Sequence, residues 1–419
     1  MKTEINKRTD LCSLMLKLMM VVSLLCPFFT SRTGSQYYPR FMLTNVFVLL
    51  FIIILVAQKN FAMLQNKIYL CLILGGLILY NIASLYINTR YLGMYGSQIN
   101  VTIAFLFFCV LIGSKKSDYF NNGKLIDFFI GVIVITNIIG IIVYLLGYDG
   151  ISFLNWQINF QETNPEYYER RFNWIFLHKS QYAFILVLFL ALVVTYRDRF
   201  RSKITYILSI AVLMTGLVIS HTYTSLIASL LVFGGLFLDF MRTKIKAFKK
   251  KYLLLLLPIL AAGGVLLVFM LKERNLSTLG GRIPIWLNSI DMLLQYPNGL
   301  GSALGLIGFD VPGISFQAFN CHNFFLNQML CFSIPVGLCF IFIFVVMMIF
   351  LFKQKISFFT LGIWAALLIP LNMDFALTIV ELPIVFFSMY CIFMKPYLMK
   401  AHYINTPVRR EGTRGTDNE

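Results

Sequence analysis

Twelve apolar runs, each close to the length that a helix needs to cross a bilayer, divide this chain from end to end. They fall near residues 12–29, 41–57, 68–87, 99–113, 125–147, 180–196, 204–220, 222–240, 252–271, 335–352, 356–373 and 376–394. A helix rises about 1.5 Å per residue, so about 20 apolar residues cover a hydrocarbon core of about 30 Å. A chain that is 59% hydrophobic and 13% charged has too few charges to clothe so many runs in a water-facing surface. The expectation is an all-α polytopic membrane protein with about 12 transmembrane helices, forming a single integral membrane domain over 1–419. The first run ends in Cys26-Pro27-Phe28-Phe29 without a small-residue cleavage pattern, so it is read as a span and not as a signal peptide.

An even number of spans puts both termini on one side, and the basic residues say which. With cytoplasmic termini, 26 of the 35 Lys and Arg fall on the inner side, Lys17 in the first run included, and 9 on the outer. That is the positive-inside bias. The net charge of +17 is therefore a matter of membrane topology, with clusters such as Arg197–Lys203 and Arg242–Lys251 lying beside anionic lipid; no nucleic-acid partner is expected. Two large extracytoplasmic loops result, 148–179 and 272–334, and the polar tail 406–419 is a disordered cytoplasmic segment. The eight Cys show no CxxC pair and no His at ligand spacing, which predicts neither a zinc site nor a disulfide framework. No Walker loop, dinucleotide fingerprint or Asp-Xaa-Asp set occurs, so neither cofactor nor metal is expected.

The loop 272–334 holds the richest polar chemistry. It opens with Leu279-Gly280-Gly281-Arg282-Ile283-Pro284-Ile285-Trp286, passes through Asn298-Gly299-Leu300-Gly301-Ser302, and closes with Cys321-His322-Asn323-Phe324-Phe325-Leu326. Pro284 suits a first helical turn, and Trp286, Ile290, Leu293 and Leu294 recur at helical spacing until Pro297 stops the run. The spacing predicts an amphipathic helix from about Ile283, lying on the membrane surface or on other helices. Arg282 precedes it, where free N–H groups already favour an anion and a guanidinium would complete a phosphate clamp. A snorkelling anchor would put an Arg in the same place, and His322-Asn323 could equally cap the following helix.

The order Gly-Gly-Arg-Ile-Pro-Ile-Trp, Tyr-Pro-Asn-Gly-Leu-Gly-Ser and His-Asn-Phe-Phe-Leu before a terminal set of spans resembles the bacterial O-antigen polymerase and O-antigen ligase family. The other outer loop adds Arg170-Arg171-Phe172-Asn173-Trp174 before the sixth run, similar to the family's Arg-to-helix segment. This chain departs from the pattern in having His178-Lys179-Ser180 where a Pro-Asn pair is common, and Ser220-His221-Thr222 where relatives carry Ser-Arg or Ser-Lys. The resemblance implies a GT-C-like fold and a metal-independent, inverting glycosyl transfer. It takes place at the outer face of the bacterial cytoplasmic membrane, from a polyprenyl-diphosphate-linked oligosaccharide. It implies diphosphate binding by Arg282 with Arg170 or Arg171, and proton abstraction by His322. Asn323, His221, Asp374 and Glu381 are supporting candidates. Partners would be membrane lipids and the flippase and chain-length regulator of the same pathway.

Three function classes stay open at this point. A polymerase adds growing glycan to a lipid-linked repeat unit, and a ligase passes it to lipid A core. A flippase or transporter for lipid-linked oligosaccharide fits twelve spans equally well, but would place its polar residues on broken helices near the midplane. A non-catalytic membrane scaffold would tolerate changes at Arg282 and His322. The topology is testable: reporter fusions at Asn159 and Ser315 should read outside the cytoplasm and fusions at Lys246 and after Thr406 inside, and opposite signs at Ser315 and Lys246 would remove the basis for both outer loops.

Overall fold

The computed structural model describes residues 2–34, 36–37, 39–57, 75–76, 78–79, 82, 103, 106–108, 123–164, 168–244, 281–300, 321–352, 357–373, 385–386, 388–389 and 392–393. The described chain is mostly helical. Its long helices are α1 (Lys2–Leu25), α2 (Pro39–Ala57), α3 (Gly123–Leu145), α4 (Lys179–Thr195), α5 (Lys203–Ile219), α6 (Tyr223–Lys244), α7 (Arg282–Gln295), α8 (Phe324–Phe332), α9 (Ile334–Phe352) and α10 (Phe358–Met373). Most match the apolar runs to within a few residues. The first run is a correction: α1 stops at Leu25, because Pro27 disfavours helical geometry at Cys26, and Phe29 begins a strand instead. The span expected at 252–271 and the tail 406–419 lie outside the described residues, as do most of the spans expected at 68–87, 99–113 and 376–394.

Helix ends sort onto two sides of the bundle. At one, Asp127 near the start of α3 accepts hydrogen bonds from Arg199 Nε at 3.0 Å and Nη2 at 2.7 Å. On the same side Asp239, late in α6, accepts from the Phe358 and Phe359 N–H groups at 2.9 Å each, satisfying the first turn of α10. At the other side lies a sheet absent from the sequence-based expectation. Strands β1 (Phe29–Ser31) and β2 (Gln36–Tyr37) pair with the hairpin β3 (Gly150–Phe153) and β4 (Trp156–Asn159) in the order β2-β1-β4-β3, all antiparallel. A second hairpin joins β5 (Gln161–Asn164) to β6 (Tyr168–Phe172). The loop 148–179 is thus a folded cap, and its pairing with residues 29–31 requires both segments to lie on the same side.

Helix α4 runs through the centre, with every residue from Lys179 to Val194 buried. Two kinds of contact fix its neighbours. Tyr182 donates its hydroxyl to Asn137 Oδ1, while Asn137 Nδ2 donates to the Val212 carbonyl at 2.6 Å, so one amide ties α3, α4 and α5 together. Gly216 on α5 makes room, since a Cβ there would stand 2.6 Å from Asn137 Oδ1 and 2.7 Å from the Tyr182 hydroxyl. Helices α6 and α10 cross through Gly235 and Gly362, where added Cβ atoms would meet the Phe358 carbonyl at 2.7 Å and the Leu231 carbonyl at 2.5 Å. Small residues let two backbones approach this closely.

The outer surfaces of the helices are apolar. Exposed stripes run along α2 (Met42, Val46, Leu49, Ile53, Val56), α3 (Ile135, Ile139, Ile142, Leu145) and α9 (Leu338, Phe342, Val345, Ile349), each at helical spacing where a water-facing helix would carry charges. Among the described residues two helical stretches, Lys124–Leu145 and Tyr223–Arg242, are long and apolar enough to cross a membrane, and six shorter apolar stretches accompany them. Replacing Asn137 by Ala should leave the Tyr182 hydroxyl and the Val212 carbonyl without their partner in a dry interior. A loss of about 1–3 kcal/mol is expected, read as a lowered melting temperature of the purified protein; an unchanged melt would mean that the amide does not hold the three helices.

Candidate functional site

The helix predicted from Ile283 is α7, and its entry is shaped by Gly281, the N-cap, at a left-handed φ of 86° that suits glycine. Arg282, Ile285, Ser289 and Leu293 are buried, whereas Leu287, Ile290 and Leu294 are 60%, 45% and 73% exposed. The strip that packs on the protein is the hydrogen-bonding one, and an apolar strip faces outward. Trp286 Nε1 donates to the Cys321 carbonyl at 2.9 Å, Ser289 donates to the Ile285 carbonyl at 2.6 Å, and the Cys321 thiol interacts with Ser289.

Those contacts place Arg282 one helical turn from the indole that grips Cys321, the residue immediately before His322. The far end of the loop is closed as well: the Leu300 N–H donates to the Leu330 carbonyl at 2.8 Å and the Ile334 N–H to the Pro297 carbonyl at 3.3 Å. His322 has a left-handed φ of 47°, a strained conformation for a residue with a side chain. It is held between two anchors, since the Cys321 N–H donates to Asn327 Oδ1 at 3.3 Å and Asn323 caps α8 by accepting from the Leu326 N–H at 3.0 Å. Asn323 thus has a structural task. Burial pushes the Cys321 thiol up to about 12, against a smaller lowering by Ser289, and raises that of Cys331 too.

The second loop separates its two arginines. Strand neighbours point to opposite faces, and Arg171 is register partner to Glu162. Arg170 instead stands 3.6 Å from Asp149, both about half exposed or more, a pairing worth little in water. Glu162 sits at the head of α4: its Oε1 accepts the Lys179 N–H at 2.7 Å, and its Oε2 lies 3.7 Å from His178 Nε2. His178 is the N-cap, its Nδ1 accepting from the Ser180 N–H at 3.2 Å. That contact assigns the imidazole proton to Nε2, facing the carboxylate. The favourable anion position at the start of α4 is therefore filled by the protein's own Glu162, with Arg171 across the hairpin from it.

Phe172, Trp174 and Phe176 are buried. Phe172 stacks on Trp174 at 6.0 Å and meets Tyr182 edge-on at 5.5 Å, fastening the cap to α4. Arg40 escaped the sequence reading altogether. It is 3% exposed, donates from Nη2 to the Ile175 carbonyl at 2.7 Å and from Nε to the Cys26 carbonyl, and covers the Phe176 ring at 4.6 Å. Glu162 escaped it too, because its role comes from pairing across a hairpin that no local signal marks. His221 is exposed in the turn between α5 and α6 at a φ of 48°. Asp374 and Glu381 lie outside the described residues.

All the described candidates stand on the sheet side. There Arg40, Lys179 and Arg282 are buried while Arg32 and Arg170 are exposed, and at the other end Lys124, Arg197, Arg199, Arg201, Lys203 and Arg242 are all exposed. Among the described residues no three His, Cys, Asp or Glu side chains gather to hold a metal ion. Comparison of the sequence with protein-family models and with curated proteins finds no match. Cys321 offers a direct check of the lock between α7 and the His322 turn. As the neutral thiol it should resist alkylation in the folded protein at neutral pH and react only as the solution approaches pH 12 or the protein unfolds; rapid labelling at neutral pH would show that the Trp286–Cys321 contact opens.

Proposed function

We propose that the chain is a polytopic cytoplasmic-membrane glycosyltransferase of GT-C-like build with about twelve spans. It would polymerise a surface polysaccharide by moving a growing glycan from a polyprenyl diphosphate onto a lipid-linked repeat unit. The observation that carries this reading is the Trp286–Cys321 hydrogen bond, which brings the helix of Arg282 against the turn of His322. The outward apolar stripes and the exposed cations opposite the sheet support a bilayer setting with the sheet side outside. The likeness of the Gly-Gly-Arg, Gly-Leu-Gly and His-Asn segments to the O-antigen polymerase and ligase family supplies the reaction class.

In this mechanism Arg282 and Arg171 hold the donor diphosphate, their planar forks matching phosphate oxygens in pairs. His322 takes the proton from the acceptor hydroxyl. The acceptor oxygen then forms a bond to the anomeric carbon as the carbon–oxygen bond to phosphate breaks, with inversion, and the electron pair leaves on the polyprenyl diphosphate. The arginines neutralise the charge that develops there, so the transition state is bound more tightly than the ground state. Arg171 is the better second clamp than Arg170, whose side chain turns out to the solvent beside Asp149.

The test uses purified protein, a polyprenyl-diphosphate oligosaccharide and either a second lipid-linked unit or lipid A core as acceptor. Polymer on the lipid-linked unit supports the polymerase; transfer only to lipid A core would reassign the chain as a ligase. Movement of donor across the bilayer without release of polyprenyl diphosphate would make it a flippase. His322→Ala should lower transfer by about 10²- to 10⁴-fold, the usual worth of a general base. Wild-type activity should fall as the pH is lowered, because a protonated imidazole cannot accept the proton. Arg282→Lys should cost nearly as much as Arg282→Ala, since the charge remains and the fork does not; equal activity for Arg and Lys at 282 would make the residue a membrane anchor.

A further inference from the structure

The four-stranded sheet has two unlike faces. Pairing sets Phe29 opposite Tyr37, Ser31 and Phe153 opposite Trp156, and Ile151 opposite Ile158, and strand alternation puts these side chains on one face. The other face carries Thr30, Ser152, Gln157 and Asn159. Trp156 lies between Tyr37 and Phe29, with ring centroids at 4.7 and 5.7 Å. An antiparallel sheet in water turns its apolar face to a core. This one leaves Tyr37 46%, Ile151 53% and Phe153 66% exposed, and Leu154 at the hairpin tip 73%.

What covers that face is indicated by what it continues. The outward stripe of α3, a helix long and apolar enough to cross a membrane, runs through Ile135, Ile139, Ile142 and Leu145 to Leu146 and Tyr148, and the chain passes directly from there into β3. On the same side of the bundle α7 presents its own exposed stripe of Leu287, Ile290 and Leu294. We propose that the apolar face of the sheet rests on outer-leaflet lipid at the boundary of headgroups and acyl chains, making the cap a membrane-interface platform. Trp and Tyr, each with an apolar body and a polar tip, suit that boundary. The platform rests on the membrane reading above and deepens it: it holds the hairpin of Arg171 at the depth where the head of a lipid-linked diphosphate lies.

The experiment places new tryptophans at two exposed positions, Phe153→Trp on the sheet and Ile139→Trp on α3, in the full chain reconstituted into phosphatidylcholine liposomes. Each is read as the difference in fluorescence from the parent protein. Bromine is carried either high on the acyl chain or near its end, with aqueous acrylamide as a separate quencher. The platform predicts that the residue-153 signal is lost mainly to shallow bromine and is protected from acrylamide, while the residue-139 signal is lost to bromine deeper in the chain. If residue 139 is quenched by lipid but residue 153 only by acrylamide, the sheet stands in water and the platform is overturned, the membrane reading standing. Protection of residue 153 from both quenchers would put protein over the face, as in a second copy of the chain, and overturn it equally. Failure of lipid to quench either position would bring down the membrane reading and the platform with it.

Discussion

The burial of α4 is the constraint on which the remaining architecture depends. A helix enclosed on all sides must satisfy its first-turn N–H groups within the protein, and here that falls to His178 and to Glu162, which reaches across from the β5–β6 hairpin. The hairpin is in turn pinned to α4 by the contact of Phe172 with Tyr182. Tyr182 also passes the constraint sideways, through Asn137 to α3 and α5. Cap and bundle are therefore one mechanical unit, and the arginines of the cap are positioned by the same contacts that close the head of the central helix.

This arrangement explains which parts were legible in the sequence. Helix positions were, because an apolar run of about twenty residues has few alternatives to a helix, and α2, α3, α5, α9 and α10 start or stop within a few residues of their runs. The start and end of α7 were readable from Pro284 and Pro297. Which strip packs on the protein was not, since the spacing suits a membrane surface and a helix neighbour equally; the structure buries Arg282 and Ser289 and bonds Trp286 to the Cys321 carbonyl. The cap was invisible for a different reason. Strands of two to five residues carry too short an alternation to register, and β1 begins at Phe29, the last residue of the first apolar run.

For the site, the residue types were legible and their geometry was not. Arg282 and His322 stand out by chemistry, but only the indole bond across thirty-five positions relates them. Arg170 and Arg171 are equivalent as letters and become distinct once β6 assigns them to opposite faces. His178 was noticed as a departure from a pattern, and the structure gives it a reason: it supplies the acceptor for the Ser180 N–H.

The enclosure of α4 also bears on how the protein is made. Synthesis completes α4 long before α10 and Phe386, on which Phe184 stacks at 6.3 Å. Until those arrive, a helix headed by Lys179 and Gln181, both buried in the finished protein, has no neighbours on that side. The newborn chain therefore carries its central helix without part of its final packing until residue 386 has been made.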